Sequence, residues 1–187
     1  MRQWSSLHSA LGRPRSRFVR NPLPRLLVLA IPLTCAVAQQ PPTSTSIDPP
    51  AGEKLLLELH GDGVQIYTCT LDKTALNWKF QGPEAKLTNG DGSDAGTHYA
   101  GPTWKLADSS EVKASAIGNK PAPEAGSIPW LLLKVASHAG TGKLQNADYI
   151  TRTDTKGGVA PTTGCDTTHQ NEQARVPYTA TYRFYGK

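Results

Sequence analysis

The sequence predicts a mainly β protein, a single-domain antiparallel β-sandwich or barrel with one disulfide. Three observations predict it. About eight short runs rich in β-branched and aromatic residues are separated by Gly, Pro, Asn and Asp. Stretches with a helical repeat are almost absent, which disfavours a βαβ fold. Two cysteines, Cys69 and Cys165, lie in the part of the chain that carries these runs.

Residues 1–38 have the composition of a secretory signal peptide. Six arginines and no acidic residue accompany an apolar run, residues 26–38, which is shorter than the roughly 20 residues that span a bilayer. The run ends in Ala36-Val37-Ala38, a small-x-small site, and we expect cleavage after it. The alternatives are an uncleaved amphipathic anchor and a lipoprotein acylated at Cys35. We expect a secreted or periplasmic protein with no membrane span after signal cleavage.

Removal of this segment would change the electrostatic interpretation of the sequence. The full chain has 20 basic and 15 acidic residues, a formal net charge of +5, but six of the arginines lie within residues 1–38. Residues 39–187 therefore keep 14 basic and 15 acidic residues, a net charge of −1. The basic character belongs to the targeting segment, so we expect no nucleic-acid partner.

Residues 39–52 are predicted to be a flexible lead-in, because four prolines surround a Ser/Thr cluster that has nothing to bury. Residues 53–187 would then form the β domain, with a length typical of one domain. In an oxidising compartment Cys69 and Cys165 would pair, and two free buried thiols are the alternative.

The first two predicted strands flank the clearest turn signal in the chain. Residues 55–60 and 64–70 lie on either side of Gly61-Asp62-Gly63, whose glycines can adopt the positive φ of a tight hairpin. We therefore predict a hairpin at this tripeptide. In the second strand the two-residue period places Gln65 and Tyr67 on one face, together with Cys69.

The remaining strands are predicted in order at residues 77–81, 97–100, 103–106, 111–115, 129–135, 148–153 and 176–185. The apolar run 130–139 is ambiguous, because periodicity alone does not separate a buried strand from a buried helix. In the last strand Tyr178, Ala180, Tyr182 and Phe184 share one face, which is therefore mainly aromatic.

Five blocks of the sequence stand out together: Gly63-Val-Gln-Ile-Tyr-Thr-Cys69, Gly96-Thr-His-Tyr-Ala-Gly-Pro-Thr-Trp104, Ile128-Pro-Trp-Leu-Leu-Leu-Lys134, Tyr149-Ile-Thr-Arg-Thr153 with Gly157-Gly158, and Val176-Pro-Tyr-Thr-Ala-Thr-Tyr182. In this combination the chain resembles a family of exported bacterial and fungal proteins catalogued only as a domain of unknown function. The resemblance covers nearly all of the chain from about Pro50 onward. It implies no established catalytic residues, and no motif supports the dehydrogenase label carried by some fungal relatives.

The motifs of common cofactor and metal sites are absent or incomplete, and we expect neither a cofactor nor a metal. The chain has no Gly-x-Gly-x-x-Gly, no His-Glu-x-x-His and no Gly-x-Ser-x-Gly. Residues 140–143 lack the first glycine of a phosphate loop. Residues 89–94 alternate oxygen side chains as a calcium loop does, but Asp94 replaces its glycine.

The candidate ligand-binding residues are His60, His98, Tyr99, Trp104 and Trp130. His98 is the most distinctive, because glycines and a proline bracket it together with Tyr99 and Trp104, and a neutral imidazole can donate or accept a proton. The alternative is that His98 hydrogen-bonds across a turn while its two aromatic neighbours pack inside.

Three functional hypotheses follow from these residues. The first is non-enzymatic recognition of an extracellular or envelope ligand, with carbohydrate as one candidate, because Trp78, Trp104 and Trp130 offer aromatic faces for sugar rings. The second is a hydrolase or isomerase that uses His98 with a nearby carboxylate, Asp62 or Asp108. The third is a structural envelope component.

Overall fold

The computed structural model describes residues 46–187, which form one closed eight-stranded barrel. The strands are β1 (Lys54–Asp72), β2 (Ala75–Thr88), β3 (Asp94–Tyr99), β4 (Thr103–Leu106), β5 (Glu111–Lys120), β6 (Trp130–Ala139), β7 (Tyr149–Gly157) and β8 (Gln173–Gly186). Each strand is antiparallel to the next, and β8 pairs with β1 to close the sheet. The predicted mainly β fold is confirmed, and its sheet is a barrel.

The predicted signal peptide, residues 1–38, lies outside the described residues, and so does the first half of the predicted lead-in, residues 39–45. Within residues 46–187 there is no helix long and apolar enough to cross a membrane. The described end of the lead-in touches the barrel, because the carbonyl oxygen of Ser46 lies against Gly118 on the outer face of β5.

The hairpin predicted at Gly61-Asp62-Gly63 is wrong. β1 continues without interruption to Asp72, and the chain turns into β2 only at Lys73, which has a φ of 53°. The two glycines serve close packing instead. A Cβ on Gly61 would lie 2.7 Å from the ring of Tyr182, and one on Gly63 would overlap the carbonyl oxygen of Glu84 on β2. Glycines of this kind let a long strand bend around a barrel.

We therefore expect Gly63→Ala to lower the free energy of unfolding by about 1 to 3 kcal/mol, because β1 and β2 must separate to admit the methyl group. Urea denaturation measures the change. Gly90→Ala is the matched control, since a Cβ there meets nothing within 4 Å and its φ is not positive, and it should shift stability by less than about 0.5 kcal/mol. Equal stability of the two variants would refute this role of Gly63.

The ambiguous run at residues 130–139 is the strand β6, paired with β5 and β7. Its continuous apolar sequence follows from burial on both faces. Leu133 points into the barrel core, and the adjacent Leu132 is also buried on the opposite face, where it approaches Gly118. A strand covered on both sides loses the alternation that identifies half-buried strands.

The predicted disulfide between Cys69 and Cys165 is confirmed, with a Cα–Cα distance of 5.3 Å and a sequence separation of 96. It fastens the connection between β7 and β8, residues 158–172, to β1. Two backbone hydrogen bonds reinforce the attachment: the Cys69 amide donates to Glu172 O at 2.9 Å, and the Asn171 amide donates to Cys69 O at 2.8 Å.

The two ends of the barrel differ. We call the end that carries the β1–β2, β3–β4, β5–β6 and β7–β8 connections the open end, and the other end the plugged end. Leu144 and Ala147, in the β6–β7 connection, are fully buried in the apolar core of the plugged end. The core there also contains Leu59, Leu87, Leu106, Val112, Ile150 and Phe184.

Candidate functional site

A pocket of about 350 Å³ occupies the barrel interior toward the open end. All eight strands contribute to its wall: Gln65 and Tyr67 from β1, Phe80 and Pro83 from β2, His98 from β3, Trp104 from β4, Ala116 from β5, Leu131 and Leu133 from β6, Arg152 from β7 and Tyr182 from β8. We call this the interior pocket. Its size falls within the range of small-molecule sites, and eight-stranded barrels are wide enough to hold one small ligand.

An aromatic cluster forms one side of the interior pocket. His98 and Trp104 are directly opposite each other in the β3–β4 register, and their rings stack at 4.1 Å between centroids with an angle of 14°. Tyr182 meets both rings edge-on, at 5.0 Å from His98 and 5.5 Å from Trp104. All three side chains are buried, so the cluster is fixed by packing.

The protonation state of His98 follows from its surroundings. Its Nδ1 lies 2.8 Å from the carbonyl oxygen of Thr103, which only accepts, so Nδ1 carries the hydrogen. Burial lowers the pKa of His98 to about 3; the hydrogen bond to Thr103 opposes this shift, and the charge of Arg152 adds to it. The imidazole is therefore neutral near pH 7, and its protonation in the folded barrel is unfavourable there.

Arg152 supplies the positive charge of the pocket. Its Nε and Nη2 donate to the carbonyl oxygen of Pro129 at 3.2 and 2.8 Å, which holds the guanidinium in place. Burial lowers the pKa of Arg152, but a guanidinium stays charged in proteins. No carboxylate pairs with it among residues 46–187, and no Asp, Glu or Lys lines the pocket.

The tyrosines around Arg152 do not offset its charge. Burial raises the pKa of Tyr67, Tyr178 and Tyr182, so all three are neutral phenols at physiological pH. Tyr67 donates its hydroxyl hydrogen to Gly158 O at 2.6 Å, and the other two hydroxyls share a hydrogen bond of 3.0 Å. Arg152 is thus the one charged group among the described residues that line the pocket.

Two buried donors of the pocket wall have no acceptor. Gln65 Nε2 and Trp104 Nε1 meet no acceptor in good hydrogen-bonding geometry within the described chain, and their side chains are 2% and 1% exposed. The Gln65 amide does lie near the Tyr178 hydroxyl, where it opposes the burial that raises the pKa of that phenol. A buried donor without a partner costs about 1–3 kcal/mol, and native proteins satisfy most such groups. The wall therefore has donors that an acceptor on a bound molecule would satisfy.

The rim of the pocket is apolar. Phe80 is 48% exposed and tilts over Tyr67, with 5.5 Å between ring centroids. Pro83, Pro102 and Pro129 complete this part of the wall and bring no backbone N–H to it. A ligand entering the barrel would therefore pass apolar groups before it reaches the aromatic cluster.

The five residues predicted as a ligand site do not assemble together. His98 and Trp104 lie in the interior pocket, but Tyr99 is 37% exposed and donates its hydroxyl to Glu111 at 3.0 Å. His60 is exposed on β1. Trp130, at the start of β6, lies outside the pocket, with Lys120 Nζ 6.0 Å from its ring centroid.

The carboxylates predicted to assist His98 lie elsewhere. Asp62 is exposed on β1, and Asp108 belongs to the β4–β5 turn at the plugged end. Asp108 accepts from the Lys143 amide at 2.8 Å and from the Ser110 hydroxyl at 2.6 Å, and these bonds lower its pKa. It joins two turns and does not reach the histidine.

The loop resembling a calcium site is an ordinary turn between β2 and β3. Asp91 Oδ1 accepts from both the amide and the hydroxyl of Ser93, at 2.9 and 2.6 Å. Asp94 Oδ1 accepts from the Gly96 amide at 3.1 Å. Across residues 46–187, no group of three or more His, Cys, Asp or Glu is placed to hold a metal ion.

Sequence reasoning missed the roles of Gln65, Arg152 and Tyr182. Signals for two of them were present. Gln65 shares a face with Tyr67 and Cys69, and a polar side chain on a face of this kind indicates a specific role. Tyr182 belongs to the predicted aromatic face of the last strand. Nothing in the neighbouring sequence distinguishes Arg152. Its role depends on the residues that other strands place beside it, and none of these is a carboxylate.

The fold and the site together define a class: a closed antiparallel barrel whose open end contains an apolar pocket with one half-buried cation. The chain belongs to the family described as "Protein of unknown function (DUF3455)", whose family model matches residues 50–186. This range covers every strand of the barrel, and the predicted membership of a family of unknown function is confirmed. No curated protein and no solved structure matches the chain.

Proposed function

We propose that the protein is a secreted or periplasmic binding protein that holds one small, mainly apolar molecule in its interior pocket. The observation that carries the proposal is that all eight strands of the barrel contribute residues to the wall of the pocket. The disulfide supports an oxidising compartment, because cytosolic thiols are kept reduced. The predicted signal peptide supports the same location.

Binding explains the polar groups of the pocket better than catalysis does. His98 is neutral and held by Thr103, and its low pKa makes it a weak base near pH 7, far from the matched pKa that favours general base catalysis. No carboxylate or lysine lines the pocket to act in its place. The buried groups of the wall that lack a partner are donors, which orient a ligand without reacting with it.

The pocket favours an apolar molecule over a carbohydrate. Trp104 presents one face to His98 rather than to a sugar ring. Trp78 lies outside the pocket and donates its indole hydrogen to Thr163 O at 2.9 Å, so the tryptophans do not form one platform. The volume of about 350 Å³ corresponds to about a dozen water molecules at roughly 30 Å³ each, enough for one small molecule.

The barrel also gives little support to a structural envelope role. A closed sheet has no free edge, and free edges are the usual route by which β proteins add strands from another copy. A pocket within the barrel would also have no part in such an assembly.

N-phenyl-1-naphthylamine, a neutral apolar dye whose fluorescence rises in apolar surroundings, tests the proposal. We expect saturable binding with one site per chain. Ala116→Phe should weaken it by at least about tenfold, about 1.4 kcal/mol, because the new ring occupies the interior pocket.

Ala139→Phe is the matched control, because Ala139 is exposed on the neighbouring strand β6 and lies outside the pocket. It should bind the dye as the wild type does. Absence of binding by the wild type, or equal binding by Ala116→Phe, would overturn the proposal. Displacement of the dye by soluble oligosaccharides, and not by apolar molecules, would favour the carbohydrate hypothesis instead.

A further inference from the structure

We propose that the ligand of the interior pocket is an organic anion, a molecule with one carboxylate or similar oxyanion on an apolar body, and that the anion pairs with Arg152. This inference rests on the proposed function and adds the chemical class of the ligand. Three independent features of the pocket support it: an unpaired cation, donors without acceptors and an apolar remainder.

The first feature is the environment of Arg152 compared with that of the other arginines. Residues 46–187 contain three arginines. Arg175 pairs with Glu84 at 2.7 Å, and Arg183 pairs with Glu58 and approaches Asp154. Arg152 alone meets no carboxylate within the described chain, and its hydrogen-bond partner is an uncharged backbone carbonyl. Arg152 is half-buried, and a charge partly withdrawn from water is normally paired, so a bound anion would supply the missing partner.

The second feature is the polarity of the unsatisfied groups. Trp104 Nε1 is a donor without an acceptor, and Gln65 Nε2 has no acceptor in good geometry, although it lies near the Tyr178 hydroxyl. Together with the Arg152 guanidinium, they are three hydrogen-bond donors in the pocket wall that a bound acceptor would satisfy. A carboxylate offers two oxygens with about four acceptor positions and no donor, which matches this set.

The third feature is the apolar part of the wall. Leu131, Leu133 and Phe80 join three prolines in the wall of the pocket. An inorganic anion would leave this surface uncovered, whereas an organic acid would bury its apolar body against it. A cationic ligand would meet the charge of Arg152 with no carboxylate in the pocket to offset it.

Two dyes with the same aromatic body and different charge provide the test. 8-Anilinonaphthalene-1-sulfonate has the body of N-phenyl-1-naphthylamine and adds one sulfonate. We expect the wild type to bind the anionic dye more tightly than the neutral one at low ionic strength. Arg152→Gln should weaken the anionic dye by at least about tenfold and change the neutral dye by less than about twofold.

Arg175→Gln is the control for a charge lost elsewhere, because Arg175 is exposed and outside the pocket. It should leave both affinities unchanged. Binding of the neutral dye shows that Arg152→Gln is folded. Equal loss of both dyes, or an unchanged affinity for the anionic dye, would overturn the inference. Failure of the wild type to bind the neutral dye would instead defeat the proposed function.

A competition experiment on the wild type needs no variant. Octanoate and 1-octanol share a chain length and differ in charge, and each can displace N-phenyl-1-naphthylamine. The inference predicts displacement at an octanoate concentration at least about tenfold lower than that of 1-octanol. Equal potency, or a preference for the alcohol, would show that the pocket does not select an anion.

Discussion

Replacing both Cys69 and Cys165 with serine will lower the free energy of unfolding by about 3 to 5 kcal/mol. The two cysteines are 96 positions apart, and a crosslink that closes so long a loop removes about 4 to 5 kcal/mol of denatured-state entropy in the chain-entropy model. The native barrel also loses an anchor, because this bond holds the β7–β8 connection against β1. Urea denaturation of the double variant measures the loss.

Reduction of the wild type provides the control for this prediction. Dithiothreitol should shift the unfolding midpoint of the wild type to that of the double serine variant and should leave the variant unchanged. A loss below about 1 kcal/mol in both experiments would mean that the backbone hydrogen bonds of Cys69 are sufficient to hold the connection.

The second large effect concerns pH. As the pH falls from about 6.5 to about 4, the wild type will lose about 3 kcal/mol more stability than His98→Gln. The pKa of His98 is 6.5 when exposed and about 3 in the folded barrel, so over this range the unfolded chain binds a proton that the folded chain excludes. Each pH unit then costs up to about 1.4 kcal/mol.

The groups that face His98 do not rescue its protonated form. They are Arg152, whose charge repels it, the neutral rings of Trp104 and Tyr182, and the carbonyl of Thr103, which already accepts from Nδ1. Unfolding free energies of both proteins at several pH values give the comparison, and carboxylates elsewhere contribute equally to each. Parallel curves would show that His98 is not buried in neutral form.

Local rules predicted the parts of the fold that depend on neighbouring residues. The two-residue period placed Gln65, Tyr67 and Cys69 on one face, and all three are buried. The glycines of β1 show where such rules end. Gly61 lies in a tripeptide typical of a turn. A glycine is required there because the ring of Tyr182 on β8 leaves no room for a Cβ, and only strand pairing brings that ring beside it.

The candidate site was likewise predictable only where it depends on residues close in the sequence. His98 and Trp104 belong to one short hairpin, so their proximity was predictable from the sequence. The same period also places Tyr99 on the opposite face from His98, as the structure shows, although the hypothesis grouped them. Arg152 comes from a distant strand, and only closure of the barrel brings it to the pocket.

The most direct test of the interior pocket follows the indole N–H signals of the tryptophans by NMR. The Trp104 signal is assigned by its loss in Trp104→Phe, and those of Trp78 and Trp130 are assigned in the same way. During titration with 8-anilinonaphthalene-1-sulfonate we expect a large, saturable shift of the Trp104 signal, because its buried indole gains an acceptor, and little change at Trp78 or Trp130. A shift confined to Trp78 or Trp130, with Trp104 unchanged at saturation, would contradict binding inside the barrel.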